Sequence, residues 1–551
     1  MPGANVPPVN QVQNSAGAEL PWWKTDVVYQ VYIRSFADGN GDGTGDIAGL
    51  RARLRYLSDL GVDAIWLNPW YKSPLHDGGY DVADYRDIEP RYGTLGEAEA
   101  LISDAHALGI KVVTDLVPNH TSSQHVWFQE ALTSPPGSPA RNRYHIVPGK
   151  GEDGSAPPND WTSVFGGPAW SRLDDGEWYL HIFDHTQPDL NWDNPEVIEE
   201  FKSIFRFWLD RDVDGFRVDV AHGLAKDMSY PDVGSDTGEL LSNAKTAGHP
   251  FWDRDEIHPI VRGWREVLDA FDGPMMVAEA WVAADRLPLY VRPDEYHQSF
   301  NFDFLSAEWD AIEMEEVLTR SIDATKAVGA APTWVLSNHD VVRHTTRYGL
   351  PKNTDWRAWL LDGPHDIIDP ELGLRRARAG TMFMLALPGS VYLYQGEELG
   401  LHEVWDLPLE LLDDPVWEQS NHKRKGRDGC RVPMPWSTDG PSLGFGENAG
   451  WLPQPADFGQ MSVEAQTGVP GSTLELYRAA LAARKKHFVT DDVIEWLDAP
   501  DGVIGLRRGS GVECWLNVSG APMAIDPERS VLLASNDVDG ELPPDTAVWL
   551  A

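Results

Sequence analysis

The sequence predicts an α/β fold: a (β/α)₈ TIM barrel with an inserted loop-rich domain after strand 3 and a C-terminal antiparallel β domain. Three observations lead to this fold class. Short β-branched runs alternate with longer helical patterns through the first two-thirds of the chain, which is typical of parallel strands joined by helices. Eight such strands can be counted, the number that this barrel requires. Closely spaced short strands replace the alternation at the C-terminal end.

Each strand candidate is a short apolar run that ends near polar residues. Amphipathic helical patterns lie between the strands, beginning with residues 47–62 after the first one. In chain order the candidates are VVYQVYIRSF (27–36), AIWLNP (64–69), KVVTDLV (111–117), GFRVDV (215–220), MMVAEAW (275–281), QSFNF (298–302), TWVLSN (333–338) and VYLYQG (391–396).

The remaining segments set the expected domain boundaries. Residues 120–186 are rich in Gly, Pro, Ser and Asp with scattered aromatics, which indicates an inserted domain B. Residues 488–551 contain five short strand patterns and form the expected domain C. We expect a flexible lead-in at 1–21, and the barrel, domain A, at 22–119 and 187–487.

Composition excludes several classes of partner. The 551 residues include 86 acidic and 45 basic ones, a net charge of −41, which argues against nucleic acids and anionic membranes. Only Cys430 and Cys514 are present, and no apolar run approaches the roughly 18 residues that span a membrane. The N-terminus lacks the pattern of a secretion signal. We therefore expect a cytoplasmic monomer or homodimer without an organic cofactor.

Two carboxylates at the ends of neighbouring strands form the candidate catalytic pair. Arg217 and Asp219 lie two apart on one strand and point to the same side, so we expect the guanidinium to lower the pKa of Asp219. Glu279 ends the next strand, beside Trp281. Adjacent strands are about 4.8 Å apart, near the 5–5.5 Å of retaining glycosidases. Asp219 is thus the candidate nucleophile and Glu279 the acid/base; the alternatives are a structural ion pair and a solvated strand-end glutamate.

Asp340 and two histidines add to this pair. Asp340 follows His339 in SNHD, where a third carboxylate could bind sugar hydroxyls. His120, like His339, lies just past a strand end and could donate a hydrogen bond to the same sugar. Considered alone, either histidine would be interpreted as a structural residue. Beside the three carboxylates, we expect both to have a functional role.

These motifs resemble the signature regions of the α-amylase family of retaining glycoside hydrolases, family 13. The resemblance covers nearly the whole chain. QPDLNW is similar to a fifth region in the form found in the oligo-1,6-glucosidase and α-glucosidase branch. The motifs are DLVPNH (115–120), GFRVDVAH (215–222), EAW (279–281), SNHD (337–340) and QPDLNW (187–192).

The resemblance implies roles for individual residues. Asp219 would be the nucleophile, Glu279 the acid/base and Asp340 the stabiliser of the transition state. The implied pocket is closed at one end, which implies an exo-acting enzyme on small oligosaccharides. Arg431 is an alternative to Arg427 as the residue that closes it. The implied substrate-binding residues are Asp81, Tyr80, His120, Phe183, Gln187, Arg217, His339 and Arg427.

The loop DGNGDGTGD (38–46) has the spacing of a cation site. It places oxygen ligands at every second position, and its glycines allow a tight curl. It lacks the glutamate that completes an EF-hand, because Gly49 stands at that position. The family's branch carries a similar loop that binds structural Ca²⁺ or Mg²⁺; the alternative is a glycine-rich turn. The ligands would be Asp38, Asn40, Asp42, the Thr44 carbonyl and Asp46.

The residues after Asp219 give conflicting indications of linkage. Val220 accompanies α-1,6 preference in the resembling branch, whereas Ala221-His222 is more similar to maltose-acting enzymes. His222 could reach the leaving sugar or pack behind the strand. We favour an α-1,4-glucosidase acting on maltose and short maltooligosaccharides, with transglucosylation.

Two alternatives remain open. One is an oligo-1,6-glucosidase or a sucrose- or trehalose-acting relative. The other is a non-catalytic, transporter-associated homologue, which the presence of all three acids disfavours.

Overall fold

Eight parallel strands form the central sheet. The computed structural model describes residues 20–234, 248–489 and 492–551. Hydrogen-bonded neighbours follow the order β6–β5–β4–β3–β2–β1–β8–β7, and every pair is parallel. The predicted barrel fold is therefore confirmed. The strands are β1 (Val27–Val31), β2 (Ala64–Leu67), β3 (Lys111–Leu116), β4 (Gly215–Val218), β5 (Met275–Ala278), β6 (Gln298–Ser299), β7 (Thr333–Val335) and β8 (Ser390–Tyr394).

The seam between β6 and β7 is closed by side chains. Thr333 Oγ1 donates to the Ser299 carbonyl at 2.5 Å, in place of a ladder of main-chain hydrogen bonds. Gln298 Nε2 donates to Ser390 Oγ at 2.7 Å, which ties β6 to β8 across the barrel interior. The barrel is nearly closed, so its strand ends converge on one opening.

Helices surround the sheet because each of them buries an apolar face against it. In α4, residues Ile257, Val261, Trp264 and Leu268 recur every three or four positions and are all buried. The longer helices are α1 (Ile47–Leu60), α2 (Leu95–Ala107), α3 (Pro195–Leu209), α4 (Ile257–Leu268), α5 (Ala311–Ala327), α6 (Pro370–Ala386) and α7 (Thr473–His487). Shorter ones are Val126–Thr133, Leu287–Tyr290, Phe302–Ser306, His344–Arg347, Trp356–Asp362, Pro415–Gln419, Phe458–Met461 and Val463–Gln466.

The segment between β3 and α3 packs over the carboxyl end of β4. It contains a small antiparallel sheet, in the order Ile146–Pro148, Glu177–Leu180, Trp170–Arg172. Its aromatic core, which includes Trp161 and Phe183, is continuous with Val220, two residues past β4. This segment therefore forms one wall above the barrel opening.

A second antiparallel sheet follows α7. The order of its strands is Ile494–Leu497, Val503–Arg508, Glu513–Asn517, Thr546–Leu550, Val531–Ala534. Two-stranded sheets pair Met523–Ala524 with Glu541–Leu542, and Tyr71–Lys72 with Asp84–Ile88. The predicted lead-in lies largely outside the described residues. Within the described ranges, no helix combines the length and apolar character needed to cross a membrane.

Arg484 on α7 joins the helix layer to the amino-terminal end of the barrel. Its guanidinium is buried and donates to the carbonyls of Leu385, Leu387, Gly389 and Thr25 at 2.5–3.2 Å. These carbonyls belong to the end of α6, the entry to β8 and a residue two positions before β1. Burial lowers the pKa of Arg484 to about 9, and the nearby charge of Arg508 adds to this effect.

We expect Arg484→Met to lower the free energy of unfolding by about 2–4 kcal/mol, because buried carbonyls would lose their donors. Thermal denaturation followed by circular dichroism measures the change in Tm. Lys486→Met, an exposed position on the same helix, is the matched control. Equal Tm values for the two variants would contradict the assignment of Arg484 as a structural tie.

Candidate active site

A cavity of about 390 Å³ opens at the carboxyl ends of the barrel strands. This volume falls in the range of small-molecule sites. Its deep wall carries the acids that follow the strands: Asp219 directly after β4, Glu279 directly after β5 and Asp340 beyond β7. The structure thus brings together the three acids that the sequence predicts as catalytic.

Arg217, Asp115, Asp219 and Glu279 form one buried group, here called the Arg217 cluster. Arg217 Nη1 lies 2.9 Å from Asp115 Oδ1 and also bonds Asp219 Oδ1, while its Nη2 lies 2.9 Å from Glu279 Oε2. Val218 pairs with Ala278 in the sheet, so Asp219 and Glu279 occupy adjacent strand ends. One guanidinium therefore holds both candidate catalytic carboxyls side by side.

Three carboxyls share the single positive charge of the Arg217 cluster. Burial raises the pKa of Asp115 to about 7, against the attraction of Arg217. Burial likewise raises the pKa of Asp219 above its usual value, and the charges of Glu279 and Asp115 add to this effect. The prediction that Arg217 lowers the pKa of Asp219 is therefore wrong in its net direction, because desolvation outweighs the guanidinium.

Glu279 is fixed by two further donors. The Val220 N–H lies 3.0 Å from Oε2, and the Trp281 indole N–H lies 3.2 Å from Oε1. Val220 adopts a φ of 45°, which a β-branched residue rarely takes, and this turn aims its N–H at the carboxylate. The Ala221 N–H also donates to the Glu279 carbonyl at 2.9 Å. The backbone after Asp219 thus positions Glu279.

Asp340 lies among cations on the opposite wall. Arg427 Nη1 and Arg431 Nη2 donate to its Oδ1 at 3.1 and 3.0 Å. Burial acts to raise the pKa of Asp340, but the surrounding charges of His339, Arg427 and Arg431 prevail and lower it below its usual range. Asp340 is therefore held as a carboxylate.

Arg427 lines the cavity and is surrounded by carboxylates. Besides Asp340 it binds Asp77 Oδ1 at 2.6 Å and Asp414 Oδ2 at 2.6 Å, and its guanidinium lies 5.2 Å from the Phe165 ring. Arg427 and Asp77 line the cavity, whereas Asp414 lies behind them, fully buried. The structure therefore places Arg427, and not Arg431, on the cavity wall.

The predicted sugar-binding aspartate, Asp81, does not reach the cavity, and Asp77 stands there instead. Asp81 is completely buried and accepts hydrogen bonds from Ser73 Oγ and from the backbone N–H groups of His76 and Asp77. The chain turns at Gly78 and Gly79, both with positive φ, so only the first aspartate of HDGGYD faces the opening. Sequence spacing alone does not distinguish the two.

Tyr80, His120 and Phe183 line the cavity, as expected for the substrate-binding residues that the family resemblance implies. Tyr80 donates to Asp115 Oδ2 at 2.9 Å and its ring stacks on His339 at 5.3 Å. The His120 ring lies 5.3 Å from Phe183, and burial lowers the pKa of His120 to about 4, so the imidazole is neutral. These residues provide a ring face and a neutral polar group beside Asp219.

Gln187 and His339 lie one layer behind the wall. Gln187 is fully buried and donates from Nε2 to Asp77 Oδ2 at 3.0 Å. His339 Nε2 lies 2.7 Å from Tyr80 Oη and 3.2 Å from Asp340 Oδ2. Both residues orient side chains that line the cavity and do not line it themselves.

His222 also lies away from the cavity. Its ring stacks on Trp252 at 4.9 Å, and only 1% of the residue is exposed. Val220, two residues earlier, lines the cavity. The predicted contact between His222 and a leaving sugar does not fit this position, because the turn after Asp219 directs Val220 inward and His222 toward Trp252.

The predicted metal loop curls on itself through its side-chain oxygens. Asp38 Oδ2 accepts the Gly43 N–H at 2.9 Å, and Asp42 Oδ1 accepts the Thr44 N–H at 2.8 Å. Asp46 accepts from Gly39 and also caps α1. Across the described ranges, no three His, Cys, Asp or Glu side chains are gathered as a metal site, this loop included.

Several cavity residues were not predicted from the sequence. Apolar ones are Phe165, Val341, Val342 and Trp356, and charged ones are Asp77, Asp355, Arg357, Glu403, Lys423, Arg424 and Lys425. They come from loops after β2, β3, β7 and β8, whose positions depend on tertiary packing. Of these residues, only Asp77 could have been found from the sequence, because it lies in the same motif as Tyr80.

Comparison with known proteins fits this geometry. Residues 30–492 match the family described as "Alpha amylase, catalytic domain". The chain belongs to the alpha-amylase family. The predicted family and its α-glucosidase and oligo-1,6-glucosidase branch are confirmed, and so is the prediction that the protein is a glycoside hydrolase.

Individual relatives align with this chain over most of their length. The chain is 37% identical over 520 residues to a probable alpha-glucosidase of Rhizobium meliloti (strain 1021), which covers 90% of this chain and 89% of that protein. It is 35% identical over 503 residues to an oligo-1,6-glucosidase of Parageobacillus thermoglucosidasius, with 85% and 84% covered. A solved alpha-glucosyl transfer enzyme, XgtA, is 34% identical with a TM-score of 0.84, covering 97% and 99%.

The positions of Asp77 and Asp81 predict different defects. We expect Asp77→Asn to raise the inhibition constant of glucose about tenfold or more, because a charged hydrogen-bond partner in the cavity is lost. Asp81→Asn should instead lower Tm, because Asp81 accepts hydrogen bonds only from the protein. Inhibition kinetics and thermal denaturation of both variants measure this split. The reverse pattern would restore Asp81 as the ligand residue.

Proposed function

We propose that the protein is an exo-acting retaining α-glucosidase that releases terminal α-1,4-linked glucose from maltose and short maltooligosaccharides. The observation that carries this proposal is a cavity with Asp219, Glu279 and Asp340 on its walls and the Arg427–Asp77 ion pair among its lining residues. We infer that this ion pair closes one end of the cavity. A closed end leaves space for a chain terminus and none for a continuing chain.

The proposed reaction uses the two carboxyls held by Arg217. Asp219 attacks the anomeric carbon, while Glu279 donates a proton to the departing oxygen. Water, deprotonated by Glu279, then attacks the glucosyl–Asp219 ester and releases glucose with retained α configuration. The adjacent strand ends support this retaining arrangement, because inverting enzymes need the wider separation that admits a water molecule between the carboxyls.

The neighbouring side chains support transition-state stabilisation. Asp340, kept ionised by two arginines, is suited to hold sugar hydroxyls. His120 is neutral and able to donate one hydrogen bond. Transglucosylation would need a second sugar to replace water, and the apolar residues Val341, Val342 and Trp356 provide a surface for one.

Linkage preference has a second candidate, α-1,6. The pair Ala221-His222 favours α-1,4 preference in the resembling branch, but His222 does not line the cavity. Val220 does line it, and valine at this position accompanies α-1,6 preference in the resembling branch. We retain α-1,4 as the primary proposal, with oligo-1,6-glucosidase activity as the alternative that Val220 supports.

We also propose that the loop 38–46 binds Ca²⁺ or Mg²⁺ through Asp38, Asn40, Asp42, the Thr44 carbonyl and Asp46. Asp38 and Asp46 are buried, and neither has a salt-bridge partner among the described residues. Burial raises the pKa of Asp46, and the nearby charge of Asp38 adds to this. A cation would relieve this repulsion, and each carboxylate retains acceptor positions beyond its amide contacts.

A substrate panel tests the linkage. We expect kcat/KM for maltose to exceed that for isomaltose, sucrose and trehalose, measured as initial glucose release. Maltotriose should be cleaved from its non-reducing end only. Faster hydrolysis of isomaltose than of maltose would reject the α-1,4 assignment in favour of the α-1,6 alternative.

The catalytic roles predict separate outcomes for the two acids. Asp219→Asn and Glu279→Gln should each reduce kcat by a factor on the order of 10³ or more, because neither amide can attack or transfer a proton. In wild-type enzyme, NMR should show α-glucose as the first product from maltose. Initial β-glucose would indicate inversion, and a fully active Asp219→Asn would remove Asp219 from the nucleophile role.

Removal of divalent ions tests the loop. We expect EDTA to lower the Tm of the wild-type protein, and Ca²⁺ or Mg²⁺ to restore it. In Asp42→Ala, neither treatment should change Tm. Identical Tm values for wild-type protein with EDTA and with either ion would contradict metal binding.

A further inference from the structure

The indole of Trp281 contacts the candidate acid/base Glu279. Its N–H donates to Glu279 Oε1 at 3.2 Å. The two residues lie two positions apart just after β5, so an extended chain turns both side chains to the same side. Glu279 lines the cavity, whereas Trp281 lies behind it with only 3% of its surface exposed. The indole therefore reaches the carboxyl from the protein side.

The two oxygens of Glu279 have different surroundings. Oε2 lies 2.9 Å from Arg217 Nη2 and accepts the Val220 N–H at 3.0 Å. A carboxylate oxygen has about two acceptor positions, so those of Oε2 are both occupied. In the part of the chain that the structure describes, the one donor to Oε1 is Trp281. Oε1 therefore keeps an open acceptor position, on a side chain that lines the cavity.

The orientation of the indole is fixed by packing. Its ring stacks on Phe302, with the centroids 3.6 Å apart and the planes 5° from parallel. The Phe302 ring in turn lies 5.7 Å from that of Phe300. All three rings are buried members of one apolar cluster. Because the indole is held in this way, its N–H favours a single orientation of the Glu279 carboxyl.

We propose that Trp281 is a positioning residue, whose N–H fixes Glu279 so that Oε1 is the oxygen that transfers the proton. This inference rests on the proposed glucosidase function and goes beyond it. It assigns the proton transfer to one of the two oxygens of Glu279 and names the side chain that selects this oxygen.

The assignment places each proton of the proposed reaction. In the first step Asp219 bonds to C1, the bond from C1 to the leaving oxygen breaks with its electron pair on that oxygen, and the proton of Oε1 moves to it. In the second step a water oxygen bonds to C1, the electron pair of the ester bond returns to Asp219, and a water proton moves to Oε1. Oε2 keeps its two donors throughout, so the carboxyl need not rotate between the steps.

Core packing alone does not account for an indole at this position. A ring without nitrogen would stack on Phe302 equally well, and a buried N–H costs free energy unless it finds an acceptor. The acceptor here is the carboxyl oxygen that the donors on Oε2 leave available. The N–H therefore acts on Glu279, in addition to the packing that the ring provides.

The leaving group tests this role directly. The sugar that leaves maltose or isomaltose needs a proton, whereas fluoride leaves α-glucosyl fluoride as a stable anion and depends little on a donor. We expect Trp281→Phe, which keeps a ring against Phe302, to lower kcat/KM about tenfold for whichever disaccharide the wild-type protein prefers. For α-glucosyl fluoride, measured as initial fluoride release, kcat/KM should change by no more than about twofold.

Two further variants assign the effect to the N–H. In Trp281→His, the imidazole Nε2 takes the ring position of the indole nitrogen, so a donor to Oε1 is restored. We expect its disaccharide-to-fluoride ratio of kcat/KM to lie within about threefold of the wild-type ratio. Trp264→Phe, the same substitution at a fully buried tryptophan of α4, is the matched control and should leave the ratio unchanged. Thermal denaturation of each variant reports its loss of packing separately.

The outcomes distinguish this inference from the proposed function. Equal losses for the disaccharide and for α-glucosyl fluoride in Trp281→Phe, or no loss for either, would overturn the role of Trp281 and leave the glucosidase assignment intact. A ratio in Trp281→His as low as that in Trp281→Phe would also overturn it. If the wild-type protein turned over neither kind of substrate, the proposed function and this inference would both be rejected.

Discussion

The guanidinium of Arg217 holds together the part of the structure on which the chemistry depends. It is almost completely buried and bonds Asp115, Asp219 and Glu279, each at the end of a different barrel strand. Removing this one positive charge would leave three carboxyls facing one another in a desolvated space. The register of β3, β4 and β5, the turn at Val220 and the indole of Trp281 all converge on this group.

Two electrostatic environments meet across the cavity. On one wall, three acids share a single cation, and desolvation raises the pKa of Asp115 and Asp219. On the other, Asp340 contacts Arg427 and Arg431, and its pKa is lowered. The ratio of cations to carboxyls around each aspartate therefore sets the direction of its pKa shift.

The loops above the barrel determine how the site is bounded. Arg427 reaches Asp77 because Asp414, buried behind it, holds the guanidinium at 2.6 Å. The inserted segment contributes Phe165 and Phe183 to one wall, and Arg424 bridges to it through Val164. The Arg427–Asp77 and Arg424–Val164 contacts join residues 350 and 260 positions apart in the chain. The walls of the cavity therefore depend on loops that are distant in sequence.

The sequence by itself determined the barrel fold, because apolar periodicity marks strands and helices locally. It also determined that Asp219, Glu279 and Asp340 lie at one opening, because polar residues at the ends of parallel strands face the same end of the barrel. Tertiary structure alone decided the rest. Whether Asp77 or Asp81 faces the cavity depends on a turn at two glycines, and the inward position of Val220 over His222 depends on one strained φ angle. The net direction of the Asp219 pKa shift depends on burial and on carboxyls from two other strands. The remaining walls of the cavity come from loops whose meeting no local pattern encodes.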